Sequence, residues 1–297
     1  MAADRPVEHL LFPTNPGRNV SPVRIGATLH LPEQSARAPA MVVLTSSAGV
    51  QRHREHHYAQ ALNSAGIAAL IVDSFKPRGV RNTVADQRLV TAWEMENDAF
   101  AALDTLRHDE RIDPERIGVM GVSKGAIAAI KSAMVVRQAW RGTGARAFAV
   151  HVAIVPGCTV QHRNPATTTA PMLFQLAELD NYTPAPLCLA YAERIRDAGN
   201  KRVAVKIYQG AHHGWESLGP VYDIAKAENF SRCRALVEDD GSYYVPQLDA
   251  RMSADQYAEW ARINCAYRGD TKAGGGTIAL KAQATDDLLA FLRAAGF

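Results

Sequence analysis

Residues 117–130, IGVMGVSKGAIAAI, contain a short pattern that predicts the architecture of this chain. The apolar start of this stretch predicts a buried strand over Ile117 to Met120, and the small apolar residues that follow predict a helix over Lys124 to Val136. Between them stands the pattern Gly-x-Ser-x-Gly, in which a sharp turn lifts a serine hydroxyl above the edge of a sheet. We therefore expect Ser123 to be a nucleophile, the alternative being an ordinary strand–helix turn of small residues.

Strands and helices alternate on both sides of this stretch. Predicted strands cover Met41–Thr45, Ala68–Val72, Phe148–Val155, Met172–Leu176 and Val203–Tyr208, and predicted helices cover Arg52–Ser64, Val84–Arg107, Ala185–Ala198 and Ile278–Leu292. Such alternation predicts an α/β fold with a mostly parallel sheet flanked by helices. Two earlier runs, Val7 to Phe12 and Val23 to Leu31, predict an antiparallel hairpin edge around the turn-rich Pro13 to Ser21.

Residues 216–276 do not follow this alternation. They contain many charged and aromatic residues and few runs typical of buried strands, so we expect little regular structure there. A chain of 297 residues is within the range of one α/β domain. We predict a single domain over residues 1–297, with residues 216–276 as an insertion that caps a site before the final helix.

Composition excludes several classes of protein. Hydrophobic residues make up 47% and charged residues 21%, which is typical of a globular chain rather than a disordered one. The net charge is +3 with no long basic run, so we predict no nucleic-acid partner. The longest apolar runs, such as Ile67 to Val72, are too short to span a membrane, and Met1 to Pro6 lacks the apolar core of a signal peptide.

A carboxylate follows the predicted strand Met172–Leu176, at the end of a parallel strand where active sites lie. Asp180 and Glu178 are both candidates. We favour Asp180, because Thr183-Pro184 begins the next helix and leaves Asp180 in the loop, whereas Glu178 is two residues nearer the strand. Asp180 would orient a histidine and stabilise its cationic form.

Two adjacent histidines follow the last predicted strand, in the loop YQGAHHGW, residues 208–215. Adjacent side chains point in different directions, so only one of them can serve as the base. We predict that His213 takes the proton from Ser123, and that His212 is structural or lines the pocket. The alternative is that both are ordinary loop histidines. The order serine, acid, histidine is that of α/β hydrolases.

A tetrahedral oxyanion needs backbone N–H donors. We predict that one is the N–H of Lys124, the residue after the nucleophile, and that another is the N–H of Ser47. Ser47 lies in the small-residue loop that follows the strand Met41–Thr45. His53 and His57 lie on one helical face, but no further ligand is implied, so we predict neither a metal ion nor a cofactor.

The chain resembles the dienelactone hydrolase family of α/β hydrolases. The resemblance rests on VVLTSSAG (42–49), VDSFKPRG (72–79), GVSKG (121–125), ELDNYTP (178–184) and GAHHGW (210–215). It implies an α/β-hydrolase fold with about eight strands and a small-molecule ester substrate. The founding enzymes use a cysteine nucleophile, and the serine of this chain favours a general carboxylic ester. We make no prediction about the oligomeric state.

Substrate contacts follow from the same resemblance. In dienelactone hydrolases an arginine after the second strand block binds a substrate carboxylate, and Arg78 stands in about that place. Its alternative role is a salt bridge that fixes the loop. We also expect His212 and Trp215 to contact substrate. The competing functions are an acyl thioesterase, since Gly-x-Ser-Lys-Gly resembles the elbow of acyl-CoA thioesterases, and a catalytically silent binding protein on the same fold.

The four cysteines acquire partners within this fold. Cys158 and Cys188 lie near neighbouring strand ends, and Cys233 and Cys265 both lie in the insertion. We predict the disulfides 158–188 and 233–265, and hence a periplasmic or secreted protein. The alternative is four free thiols and a cytoplasmic protein.

Overall fold

The structure is a computed structural model that describes residues 7–14, 22–33, 37–142 and 144–297. The strands are β1 (Val7–Pro13), β2 (Arg24–His30), β3 (Ala38–Leu44), β4 (Ala68–Asp73), β5 (Ile112–Val122), β6 (His151–Ile154), β7 (Val160–His162), β8 (Met172–Ala177), β9 (Val203–Tyr208), β10 (Val221–Asp223), β11 (Ala235–Val237), β12 (Tyr243–Val245), β13 (Ala250–Met252) and β14 (Lys272–Gly274). The α-helices are α1 (His57–Ser64), α2 (Ala92–Arg107), α3 (Lys124–Lys131), α4 (Val135–Arg141), α5 (Ala185–Asp197), α6 (Ala254–Asn264) and α7 (Ile278–Ala294).

The central sheet of the described residues has eight strands, in the order β1-β2-β4-β3-β5-β6-β8-β9. The pairs from β4 to β9 are parallel, whereas β2 is antiparallel to both β1 and β4. The predicted α/β fold and its antiparallel edge are therefore confirmed. The turn predicted between the first two strands lies mostly outside the described residues, as do Met1 to Pro6.

Helices cover both faces of the sheet because the parallel strands are apolar on both sides. On β3, Val42 and Leu44 pack in the same cluster as residues of α2, whereas Met41 and Val43 pack in the cluster that contains residues of α1 and α7. A third cluster joins α3 and α5 over β8. The helices cover the two faces but not the carboxyl ends of the strands. The loops at this edge of the sheet can therefore form a binding site.

Two predicted helices have different boundaries in the structure. The helix predicted from Val84 begins at Ala92, because Thr91 and Glu94 form a capping box: the Thr91 hydroxyl accepts the Glu94 N–H, and the Glu94 carboxylate accepts the Thr91 N–H. Residues 84–91 form turns instead. The helix predicted over Lys124 to Val136 is two helices, α3 and α4, separated at residues 132–134.

Residues 216–276 have more regular structure than predicted. Strand β10 pairs with β14, and β11, β12 and β13 form a four-stranded sheet with β7 from outside the segment. The segment also contacts the loop after β9, where the Gly274 N–H donates to the His213 carbonyl at 2.9 Å. It is thus bonded directly to the loop that carries the candidate base.

Two disulfides brace these regions. Cys158–Cys188 joins the chain after β6 to α5, with the Cα atoms 5.1 Å apart. Cys233–Cys265 joins the chain before β11 to the end of α6, with the Cα atoms 5.2 Å apart. Both pairings are those predicted from the sequence.

Candidate active site

Ser123 stands at the turn between β5 and α3, with φ of 55° and ψ of −111°. A positive φ is strained for a serine, and close packing holds it there. A Cβ on Gly121 would lie 2.2 Å from the carbonyl carbon of Gly125, and one on Gly125 would lie 2.6 Å from the carbonyl oxygen of Thr45. Both positions of the pattern therefore require glycine, because the first turn of α3 passes against β5 and the end of β3.

Ser123, His213 and Asp180 form one hydrogen-bonded chain. The Ser123 Oγ lies 3.1 Å from His213 Nε2, and His213 Nδ1 lies 2.8 Å from Asp180 Oδ2. The three side chains follow β5, β9 and β8 respectively, at the carboxyl ends of parallel strands. The structure thus brings together the three residues expected to form the triad.

The Asp180 carboxylate is buried and richly hydrogen-bonded. It accepts the backbone N–H groups of Tyr182 and Thr183 at 2.8 and 2.7 Å, and the Thr183 hydroxyl at 2.7 Å. Burial alone raises the pKa of this carboxyl, but the attraction and hydrogen bond of His213 and the Thr183 donors outweigh burial and hold the pKa below its ordinary value. Glu178 faces elsewhere and accepts the Gly210 N–H at 2.8 Å.

The loops of the acid and the base are joined to each other by their backbones. The Glu178 N–H donates to the Tyr208 carbonyl, and the Leu179 N–H donates to the Ala211 carbonyl at 2.8 Å. The Tyr182 ring lies against the His213 imidazole, with the ring centroids 5.0 Å apart and the planes inclined at 62°. The imidazole is therefore held on one side by Asp180 and on another by Tyr182.

The two predicted oxyanion donors lie on neighbouring elements. Lys124 begins α3, where backbone N–H groups lack partners within the helix. Ser47 lies in the loop after β3, whose end approaches Gly125 closely. The Ser47 carbonyl accepts the Thr83 N–H at 2.8 Å. This bond fixes the peptide group that follows Ser47.

The Lys124 side chain is buried beside the site. Its ammonium donates to the Thr83 hydroxyl at 2.8 Å, the Gln87 carbonyl at 2.9 Å and the Val90 carbonyl at 2.7 Å. Burial lowers the pKa of Lys124 to about 7, although nearby carboxylates act in the opposite direction. The ammonium therefore fixes the loop 83–90 over the first turn of α3.

The residues expected to bind substrate have different surroundings. Arg78 donates to both oxygens of the buried Asp98 carboxylate at 2.7 and 2.9 Å, which is the loop-fixing salt bridge rather than a free anion receptor. Trp215 is fully buried against Tyr208, so its assignment to substrate contact is corrected to a core role. His212 is half-buried beside Gly275, and its contact with substrate stays a prediction.

Two side chains that contact the candidate site residues, Gln87 and Tyr182, were not among the predicted site residues. Gln87 lies in the segment that was predicted to be helical, and its amide contacts the Ser47 and Tyr182 hydroxyls. Within residues 7–14, 22–33, 37–142 and 144–297, no group of three or more metal-ligating side chains is present. His57 instead contacts Thr285 at 3.0 Å. No helix in these same ranges is long and apolar enough to cross a bilayer.

A strained serine after a central parallel strand, with an acid and a histidine in the loops that follow later strands, is typical of the α/β-hydrolase fold. The family model of the dienelactone hydrolase family matches residues 25–235, and the chain belongs to that family. No curated protein was found to match it by sequence.

Solved structures share the fold at low sequence identity. A dienelactone hydrolase-like promiscuous phosphotriesterase from metagenomic libraries is 14% identical, with a TM-score of 0.58, and the match covers 97% of this chain and 98% of that one. Esterase 2 of Thermogutta terrifontis, phosphonylated by cyclosarin, is 17% identical, with a TM-score of 0.55 and coverage of 71% and 86%. These similarities establish the α/β-hydrolase fold.

Proposed function

We propose that this protein is a serine hydrolase that cleaves a small-molecule carboxylic ester through an acyl-enzyme. The observation that carries the proposal is the continuous hydrogen-bonded chain from Ser123 through His213 to Asp180. Membership of the dienelactone hydrolase family supports it. So do the printed descriptions of the structural neighbours, which are an esterase and a phosphotriesterase.

The hydrogen bonds determine which imidazole nitrogen acts. An ionised carboxylate only accepts, so the contact of 2.8 Å from His213 Nδ1 to Asp180 requires the proton on Nδ1. Nε2 is then unprotonated and accepts the Ser123 hydroxyl proton while Oγ attacks the acyl carbon. Asp180 stabilises the resulting imidazolium, which returns its proton to the departing alkoxide. Water, deprotonated by His213, then attacks the acyl-enzyme, and the imidazolium returns the proton to Ser123 Oγ as the acid departs.

The oxyanion of each tetrahedral intermediate would be bound by the backbone N–H groups of Lys124 and Ser47. The positive end of α3 adds a favourable field at the same place. Each such donor contributes about 3 to 4 kcal/mol to transition-state stabilisation in enzymes where it has been removed. Residues 216–276 would act within the same single domain as a cover, supported by their bond to the His213 carbonyl.

The test is hydrolysis of p-nitrophenyl acetate by wild type and by Ser123→Ala. We expect the variant to lose turnover and labelling by a fluorophosphonate while it keeps the wild-type Tm, because only the nucleophile is removed. The matched control is Ser64→Ala, at the exposed end of α1, which should keep full activity. Residual turnover in Ser123→Ala would refute the nucleophile, and faster turnover of acyl-CoA would instead favour a thioesterase.

We also propose that the protein functions in the periplasm or outside the cell. The proposal is supported by two disulfides, which persist in oxidising compartments and are rare in the cytosol. Thiol titration of the denatured, unreduced protein should detect no free thiol. Four free thiols would contradict the disulfides and favour a cytoplasmic protein.

A further inference from the structure

We propose that Gln87 is a positioning residue for the reaction, because its side chain links the oxyanion loop to the loops that carry the acid and the base. This inference rests on the proposed ester hydrolysis and adds to it a residue outside the triad. No motif contains Gln87, and no part of the mechanism above uses it. The backbone and side-chain polar groups of Gln87 all form hydrogen bonds.

Gln87 contacts a different structural element with each of its polar groups. Its side-chain oxygen accepts the Ser47 hydroxyl at 3.0 Å, and its side-chain nitrogen donates to the Tyr182 hydroxyl at 3.1 Å. Its backbone N–H donates to the Glu228 carboxylate at 2.8 Å, and its carbonyl accepts the Lys124 ammonium at 2.9 Å. One residue thereby bridges the oxyanion loop, the acid loop, the segment 216–276 and the start of α3.

The backbone of Gln87 is held from two sides by charged groups that are themselves fixed. Lys124 bonds three acceptors of the loop 83–90. Glu228 is buried and pairs with Arg262 at 2.9 Å and with Arg268 at 3.2 Å. Because these anchors act on the backbone, they remain when the Gln87 side chain is replaced. The amide is therefore presented from a fixed position.

The two side-chain bonds of Gln87 lead to the reacting groups by short routes. The Ser47 side chain belongs to the residue whose backbone N–H would bind the oxyanion. The Tyr182 ring contacts the His213 imidazole at 5.0 Å between centroids. Gln87 thus links the Ser47 side chain to the ring that lies against the His213 imidazole. Losing this link would let the oxyanion loop and the imidazole move independently, and displacements of about 1 Å cost up to roughly a hundredfold in rate.

The side chain of Gln87 contributes little to the hydrophobic core. It is half-buried, and its two side-chain bonds go to the Ser47 and Tyr182 hydroxyls. Replacement by methionine conserves its length and volume and removes both bonds. We expect Gln87→Met to lower kcat for p-nitrophenyl acetate by about tenfold to a hundredfold. KM should stay near the wild-type value, because substrate binding is unchanged, and the fold should persist, because the backbone anchors remain.

The matched control is Gln161→Met on β7. Gln161 also uses both ends of its amide: it donates to the carbonyls of Cys158 and Leu187 at 3.1 and 3.2 Å and accepts Arg194 at 2.7 Å. It touches none of the triad residues. This control should lower stability without lowering kcat, which separates positioning from a general loss of hydrogen bonds.

A double variant gives a second test that keeps Gln87 itself. Ser47→Ala combined with Tyr182→Phe removes both partner hydroxyls, and it should reproduce the kcat of Gln87→Met. Adding Gln87→Met to that background should cause no further loss of kcat, since no bond is left to remove. If Gln87→Met does not fold, the double variant alone must show the tenfold or greater loss of kcat with unchanged KM.

The outcomes distinguish this inference from the function on which it rests. A wild-type protein that neither hydrolyses the ester nor reacts with a fluorophosphonate would overturn the proposed function. An active wild type whose kcat is unchanged by Gln87→Met and by the double variant would overturn the role of Gln87 alone. A loss confined to KM would also overturn it, because it would assign Gln87 to ground-state binding.

Discussion

At the scale of the residue, two adjacent histidines differ completely in their surroundings. His213 contacts Asp180 and Ser123 through its two ring nitrogens, whereas His212 contacts neither. We expect His213→Asn to lower kcat by at least about a thousandfold, because no group remains to accept the serine proton. His212→Asn should keep kcat within about tenfold of wild type. Steady-state hydrolysis of p-nitrophenyl acetate measures both.

The pair of variants contains its own control, since the same substitution is made one residue apart on the same loop. Equal losses in the two variants would contradict the assignment of the base. A large loss in His212→Asn alone would transfer the role to His212. In either case circular dichroism and Tm would exclude unfolding as the cause.

Single residues were predictable where a motif carries their chemistry. Ser123, Asp180 and His213 each follow a recognisable strand, and the structure brings them into contact. The surroundings of Arg78 and Trp215 were harder to predict, because the residues next to them in the sequence do not indicate which residues they contact in the fold. Asp98, which pairs with Arg78, is a buried residue of α2, and only the fold brings the two together.

At the scale of the element, the start of α2 illustrates which sequence signals decide a boundary. The apolar positions at helical spacing, from Met95 onward, all lie in the observed helix. Residues 84–91 had no such spacing, and Thr91 with Glu94 is a capping box that marks the true start. Because residues 84–91 were predicted to be helical, the contacts of Gln87, which lies in this loop, could not be predicted either.

The strands of residues 216–276 could not be found by periodicity. Each of β10 to β14 is only three residues long, which is too short to establish an alternating pattern. Their pairing depends on partners distant in sequence, such as β7 with β11. A short strand is stabilised by its neighbours rather than by its own propensity, so its sequence carries little signal.

At the scale of the whole molecule, the sheet explains why three distant residues meet. Parallel strands place their carboxyl ends at one edge, and the candidate nucleophile, acid and base follow β5, β8 and β9. The strand–helix alternation predicted this arrangement without any knowledge of strand order. In the strand order, β6 and β8 lie between β5, which precedes Ser123, and β9, which precedes the His213 loop, so this loop extends past the ends of both strands to reach Ser123.

The stability of the whole fold should depend on pH through two buried histidines. Burial lowers the pKa of His151 to about 4 and of His162 to about 3, below the ordinary value of about 6.5. Below pH 6.5 the unfolded chain therefore binds protons that the folded chain does not. The free energy of unfolding should fall with decreasing pH, by up to about 1.4 kcal/mol per pH unit for each histidine.

Denaturant unfolding between pH 8 and pH 4.5 measures this dependence, and the variants His151→Gln and His162→Gln separate the two contributions. A glutamine at position 162 still offers a polar partner to the Tyr191 hydroxyl, which lies 3.2 Å from His162 Nδ1. Below pH 6.5, each single variant should reduce the number of protons taken up on unfolding by about one, and the double variant by about two. The slope of the free energy of unfolding against pH should become shallower in the same proportion. A double variant with the wild-type slope would assign the acid sensitivity to another histidine, such as His57, whose pKa burial lowers to about 4.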